Sequence, residues 1–425
     1  MAICGIAVER EGQPVHGTAL DAMVSELMIL PGSGRDQISR SDFGLGATSS
    51  AGTASLWVSE ALTVACDADI YNRGELLASL SSPPPDRGIA ALVGALFQQY
   101  GASTLEKLRG AFAIAIWQPA NRTLLLAVDR FGIRPLSYAI NGAAIIFASY
   151  ARGILASGHL EKKLNPDAIV DYFNYNVVPA PKSAFAGISR LQPGEYLLWQ
   201  DGRQRRVRYW EMQYPEDARG SKDKLANELL ECMKDAVTVT SRDLDRDRTG
   251  CFLSGGTDSS SVAGLLSQVK GQPANTFSIG FAEERWNELN YAHLAAEHFH
   301  TRHTDLVMGT NEAYEIIPKI VEAYDEPFAN SSAIPTYWCA KLAREHGMQV
   351  LLAGDGGDEL FGGNERYRTE QIFLLYQNIP GILRRVLEPV VFAAPASLPL
   401  FRKAQKYIRT SNAGNPERYC KWRLL

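Results

Sequence analysis

The stretch "CFLSGGTDSSSVAGLLS" (251–267) decides how the second half of the chain is read. An apolar strand runs into Ser254-Gly255-Gly256-Thr257-Asp258-Ser259-Ser260, after which Val262, Leu265, Leu266 and Val269 recur with helical spacing. Glycines let the backbone approach an anion closely, the hydroxyls add donors, and the start of a helix offers unpaired N–H groups and a positive dipole end. Such a loop suits phosphate. No lysine follows the glycines, so this is not the G-x-x-x-x-G-K-S/T loop. A bland turn capped by Thr257 or Asp258 would not need the whole six-residue pattern.

A second glycine-rich turn, "VLLAGDGGDELFGGNERY" (350–367), follows another apolar run. Asp355, Asp358 and Glu359 would repel a polyphosphate unless a cation lies between them. Carboxylates from two strand ends, Asp258 and Asp358, suit octahedral Mg²⁺ bridging pyrophosphate oxygens.

Around these turns, helical and strand patterns alternate from residue 225: helix 222–240, strand 250–254, helix 258–270, strand 275–281, helix 288–299, helix 332–346 and strand 348–353. Alternation of this kind implies a parallel sheet covered on both faces. Residues 1–205 differ. They carry short β-type runs, "ALTVACDADI" (61–70), "GAFAIAIWQ" (110–118), "RTLLLAVD" (122–129), "AAIIFAS" (143–149) and "GEYLLW" (194–199), with helical pattern mainly at 17–30 and 88–100. The charged, turn-rich segment 206–224 reads as a linker, which leaves 225–425 as the second domain.

The composition bounds the function. A chain of 425 residues implies two domains, and a net charge of −4 offers no electrostatic footprint for nucleic acid or a membrane surface. The six cysteines (4, 66, 232, 251, 339 and 420) form no CxxC pair, which argues against a zinc ribbon or disulfide framework and for a reducing compartment. With no apolar run of membrane-spanning length, the expectation is a soluble cytoplasmic protein.

The combination of SGGTDSSS, "FSIGFAEERWNELNYA" (277–292), "YDEPFANSSAIPTY" (324–337) and AGDGGDELFGG resembles the synthetase domain of the asparagine synthetase family. In the first half, CGI (4–6), "DADIYNRGEL", "LRGAFAIAIW", "VDRFGIRPLSYA" and "LQPGEYLLW" are similar to a class II glutamine amidotransferase domain. The resemblance implies an α+β Ntn-hydrolase-like sandwich followed by an α/β parallel-sheet ATP-pyrophosphatase domain. It also implies ATP and Mg²⁺ as cofactors. Ser254, Gly255, Gly256, Thr257, Asp258, Ser259 and Ser260 would hold the pyrophosphate, with Asp258 and Asp358 as metal ligands. Leu253, Ile279, Ala353 and Gly354 would line the nucleotide pocket, and Asp355 would support an acyl-adenylate, leaving Asp355 and Asp358 as the catalytic carboxylates. The implied partners are a small carboxylate, aspartate foremost, and an amine or ammonia donor; a homodimer is compatible.

Cys4 is the first half's apparent nucleophile, but the glutaminase mechanism needs the cysteine at residue one, and three residues precede it here. Other positions depart from the family too. "LPGSGRDQ" (30–37) and "ATSSAG" (47–52) keep little of the substrate-binding stretches, Asp67-Ala68 stands at the oxyanion-hole Asn-Gly, and Ile89 falls near the glutamine-gripping Asp. Cys4 therefore reads as a small apolar residue beginning a core strand. The histidines at 293, 298, 300 and 303 lack the one-face spacing of a helical metal motif and read as a solvated helix end and loop. Only 62 residues follow Gly363, and Lys403, Lys406 and Lys421 match no motif, so the chain reads as C-terminally incomplete. The expected activity is an AMP-forming ligase of asparagine synthetase type. Two alternatives are amide or macrolactam formation with an amine of the substrate itself, and a nucleotide-binding relative without turnover.

Overall fold

The structure is a computed structural model. It describes residues 1–9, 17–29, 34–49, 56–200, 202–214, 220–363, 365–395, 397–414 and 417–418. Residues 30–33 and 50–52 of the divergent stretches, Cys420 and Lys421 lie outside these. Two compact units are present: Met1–Leu244 with Thr310–Tyr337, and Asp245–Gly309 with Trp338–Leu425.

The first unit holds two antiparallel six-stranded sheets. Strands are β1 (Ala2–Val8), β2 (Gly34–Ser39), β3 (Phe43–Ser49), β4 (Leu56–Val58), β5 (Thr63–Ile70), β6 (Gly110–Gln118), β7 (Thr123–Val128), β8 (Ser137–Asn141), β9 (Ala144–Ala148), β10 (Ser189–Arg190), β11 (Glu195–Gln200) and β12 (Arg203–Arg208). Their orders are β10-β8-β9-β1-β3-β2 and β12-β11-β7-β6-β5-β4.

Side chains alternate across each strand, and the central strands β1, β3, β5, β6 and β7 are covered on both faces, so their sequences show apolar runs rather than alternation. The edge strands β2 and β12 are largely exposed. From β1, Ile3 and Ala7 join Phe43, Leu45, Trp117 and Leu124 in the core between the sheets. From the same strand, Ala2, Cys4, Ile6 and Val8 pack on the other face with Leu20, Met23 and Val24 of the helix Gly17–Glu26. In the second sheet, Ala65, Ala113 and Ala115 face inward, while Val64, Cys66, Ile114 and Ile116 meet Leu92, Val93 and Leu96 of the helix Ile89–Tyr100. The result is a helix–sheet–sheet–helix sandwich. "GAFAIAIWQ" is apolar throughout because β6 is buried on both faces.

Segment Thr310–Tyr337 belongs to this unit despite its place in sequence. Asp325 accepts hydrogen bonds from the backbone amides of Ala151 and Arg152, at the start of the helix Ala151–Ala156. That helix has no capping side chain of its own, so Asp325 supplies one from 170 or more positions away. Glu326 accepts from Ser183 Oγ at 2.5 Å, and Ala329 N donates to Asn176 O at 2.9 Å.

The second unit is built on β13 (Thr249–Phe252), β14 (Asn275–Phe281), β15 (Arg302–Met308) and β16 (Val350–Leu352), in order β15-β14-β13-β16. All pairings are parallel. Helix Thr257–Lys270 links β13 to β14, and helix Leu289–His298 links β14 to β15. Phe277 packs with Cys339, Leu342 and Ala343 on one face of this sheet, an apolar cluster that fixes β14 to the helix Ala333–Glu345. Among the described residues no helix is long and apolar enough to cross a membrane.

Candidate nucleotide site

The chain leaves β13 toward β14 on one side, while β16 pairs with β13 on the other. Ligands of open parallel sheets bind outside the carboxyl ends of the strands at this kind of switch point. Both glycine-rich turns lie there, Ser254–Gly256 after β13 and 353–356 after β16.

The first turn is held by its own hydroxyls. Ser259 Oγ accepts from Ser254 N at 3.1 Å and meets Ser254 Oγ at 2.9 Å, and Gly256 N donates to Ser254 Oγ at 3.3 Å. Gly255 has φ +81°, and a Cβ there would sit 2.4 Å from Tyr291 C and 2.5 Å from Ala292 N. Glycine is required by both conformation and space. Helix Thr257–Lys270 starts at Gly256 with no side-chain cap, which leaves its first-turn amides facing the turn. Ser260 Oγ is buried without a hydrogen-bond partner.

The second turn closes onto the first. A Cβ on Gly354 would lie 2.8 Å from Asp258 Cβ and 3.0 Å from Ser259 N; one on Gly357 would lie 2.3 Å from Asp258 Oδ2. The Asp258 carboxylate therefore rests on the glycine backbone of 354–357, one residue before Asp358. Asp355 and Asp358 are exposed, as is Ala353, while Asp258 is half-buried. Carboxylates are the ligand chemistry of a hard divalent cation, and Asp258 adjoins the turn that leads into Asp358.

Leu253 is buried, donating from its amide to Phe277 O at 2.9 Å and accepting from Ser278 Oγ. Ile279 packs on the Phe277–Leu342 cluster. Sequence reasoning did not identify Gly357, Ser278 or the Tyr291–Ala292 backbone as neighbours of the site. The glycine run 354–357 carried a signal for the first; the other two depend on how β14 and its following helix pack.

In the first unit, Cys4 is fully buried, and burial pushes its thiol up to about 12. Its side chain faces the helix layer. A cavity of about 220 Å³ at the start of β1 is lined by Met1, Ala2, Thr48 and Tyr150, among others, but not by Cys4. Asp67, on the inter-sheet side of β5, is buried; desolvation raises its carboxyl, offset in part by Arg134, whose Nε lies 3.6 Å from Oδ1, and by the chain's N-terminal ammonium. A larger cavity of about 330 Å³ is lined by Tyr150, Arg190, Asp325 and Glu326 among others.

The histidines divide. His293, His298 and His300 are exposed, in keeping with a solvated helix end. His303 is not: it lies in β15 with a side chain only 10% exposed. The loop after the helix Leu289–His298 reverses the chain and brings His303 back beside His293, with ring centroids 5.5 Å apart. Spacing along the sequence could not show this.

Comparison with known proteins agrees with both halves. Residues 228–419 match the asparagine synthase family and residues 48–210 match a glutamine amidotransferase domain. The chain is 30% identical over 305 residues to glutamine-hydrolyzing asparagine synthetase 1 of Bacillus subtilis, covering 72% of this chain and 47% of that protein. It is 31% identical over 330 residues to a putative glutamine-hydrolyzing asparagine synthetase 2 of Methanocaldococcus jannaschii, covering 76% and 63%. Amidase chry2 of Gibberella zeae is 27% identical over 302 residues, covering 66% and 44%. The chain thus spans about half to two-thirds of the length of these relatives. With both halves matched in order and the glycine turns meeting at the sheet's switch point, the chain belongs to the asparagine synthetase family.

Proposed function

We propose that this chain carries the ATP-dependent, AMP-forming half-reaction of a carboxylate–amine ligase. Its division would be an amidotransferase-like part to about residue 205 and a synthetase part from 225. The observation that carries the reading is the contact of Asp258 with the 354–357 turn at the switch point. A substrate carboxylate oxygen attacks the α-phosphorus of ATP and pyrophosphate leaves; an amine then attacks the acyl carbon and AMP leaves. In this reading the amides and hydroxyls of Ser254–Ser260 hold the departing pyrophosphate, and Asp355 faces the acyl-adenylate. Asp258 and Asp358 would hold Mg²⁺, which supplies charge neutralisation when bound. Leu253, Ile279, Ala353 and Gly354 flank the base and ribose. Aspartate is the leading carboxylate.

The amine source is the point on which two readings differ. The buried Cys4 and the Asp67 carboxylate where an oxyanion would be stabilised argue against glutamine hydrolysis. They favour free ammonia or an amine of the substrate itself. ATP–pyrophosphate exchange with Mg²⁺ and candidate carboxylates, followed by mass spectrometry of products with ammonia or glutamine, tests both. Exchange abolished in Asp258→Ala is the expected result. Product made equally well from glutamine would overturn the loss of glutaminase chemistry, and absence of exchange with every carboxylate would overturn the ligase reading.

A further inference from the structure

The sheet edge opposite β16 carries a group of side chains with no part in the nucleotide site. On β15, His303 and Asp305 are two residues apart and so project from one face of the strand. His293 reaches them from the helix Leu289–His298, with Nε2 3.1 Å from Asp305 Oδ1; His303 Nε2 lies 3.9 Å from the same oxygen. All three donor atoms lie within 4.8 Å of one another.

His303 is held for a purpose that its own contacts do not use. Nδ1 lies 3.0 Å from Thr276 Oγ1, which in turn is 2.9 Å from Thr301 Oγ1. A proton on Nδ1 donated to Thr276 leaves the Nε2 lone pair directed into the cluster. That nitrogen is buried, on a side chain nine-tenths buried, and has no hydrogen-bond partner. Fixing one ring nitrogen by a hydrogen bond so that the other can ligate is how metal-bound imidazoles are oriented.

We propose that His293, His303 and Asp305 form a binding site for one divalent cation of the zinc type. Two imidazoles and a carboxylate favour zinc and its first-row neighbours over Mg²⁺. Ligands about 2.0–2.1 Å from a tetrahedral zinc stand about 3.3 Å apart, and the two distances above bracket that spacing. Three protein ligands leave one position for water or an external donor. The ion would tie the helix Leu289–His298 to β15, and the same helix abuts Gly255 through Tyr291 and Ala292.

The test is Zn²⁺ titration of the full chain, stripped with chelator, against a chromogenic zinc indicator. Wild type should hold one ion that His293→Ala lacks. His293 is half-exposed, so this variant should fold, and its circular dichroism melt checks that it does. Asp305→Asn should weaken the same site at least tenfold, and Thr276→Val should weaken it about tenfold to a hundredfold by freeing the ring. Asp258→Ala should leave it intact, which separates this site from the nucleotide reading. Co²⁺ should give a tetrahedral visible spectrum in wild type and not in His293→Ala. Equal Zn²⁺ stoichiometry and affinity in wild type and His293→Ala, or no binding tighter than about 100 μM in wild type, about the 5.5 kcal/mol that this constant represents, overturns the proposal.

Discussion

Gly357→Ala isolates the geometry on which the ligase reading rests. Gly357 is not in the left-handed region, so alanine suits its backbone, and in the unfolded chain it reduces entropy, a stabilising effect of about 0.4–1 kcal/mol. What it cannot suit is Asp258. The new Cβ would sit 2.3 Å from Oδ2 and 2.5 Å from Cγ, whereas ordinary contact begins at 3.4 Å, so the carboxylate must retreat by about 1 Å. A misplacement of that size in a positioned reacting group costs about 10²-fold. The expected outcome is ATP–pyrophosphate exchange reduced about 10²-fold in kcat/KM, with a melting temperature within about 2 °C of wild type. Exchange at the wild-type rate would refute the idea that the Asp258 carboxylate is set by the 354–357 backbone. Gly354→Ala is the contrasting case. Its Cβ would meet Asp258 C at 2.9 Å and Ser259 N at 3.0 Å, backbone atoms that cannot turn aside, so stability should fall along with exchange.

Other perturbations read other parts of the structure. Gly255→Ala meets both a φ of +81° and the backbone of Tyr291–Ala292, and should lose about 2 kcal/mol or more in chemical denaturation together with ATP binding by calorimetry. Asp325→Ala removes the acceptor for two backbone amides of the helix Ala151–Ala156 and should cost about 1–3 kcal/mol in urea unfolding; an unchanged midpoint would mean that water replaces the cap. The Cys4 thiol ionises near 12 when folded against an ordinary 9.0, so its contribution to stability is complete below pH 9 and is lost as pH rises toward 12, by up to about 1.4 kcal/mol per pH unit. Cys4→Ala should flatten that alkaline slope by close to one proton in urea midpoints taken from pH 8 to 11. Iodoacetamide at pH 8 should label exposed Cys232 and spare Cys4, as read by peptide mass spectrometry.

Much of the second unit was legible because each signal was local. The apolar run, the glycines and the helical spacing at 251–267 occupy adjacent positions, and β13 and the helix Thr257–Lys270 form where that pattern places them. The expected helices 88–100 and 222–240 appear as Ile89–Tyr100 and Lys222–Ser241 for the same reason. What was not legible depends on chain reversal and long-range contact. β15 carries "RHTDLVM", a mixed run whose partner strand sets its register, Thr276 opposite His303 and Ser278 opposite Asp305. Nor does any local pattern announce that Asp325 caps a helix near residue 151. A motif can announce a turn, but a cap or a ligand set drawn from separate elements appears only once those elements are packed.

The same distinction explains why "CGI" is visible in the sequence while the structure buries its cysteine. Strand parity puts Cys4 with Ala2, Ile6 and Val8 against the helix layer, whereas Ile3 and Ala7 look into the space between the sheets. The cavity beside β1 is lined by Met1 and Ala2 rather than Cys4, and the carboxylate near the chain's amino terminus is Asp67. Exposing Cys4 as a new terminus would mean removing Met1, Ala2 and Ile3. That would remove the pairing of Ala2 and Ile3 with Thr48 and Ala47, and with it the 2.9 Å bond from Ile3 N to Ser149 Oγ and the 2.8 Å bond from Ser149 N to Ile3 O. It would also leave the thiol on the wrong face. Trimming to Cys4 would thus cut into a strand that is core on both faces. The fold of the first unit persists because its cores need only apolar residues of about the right size, a requirement Cys4 meets as well as alanine would.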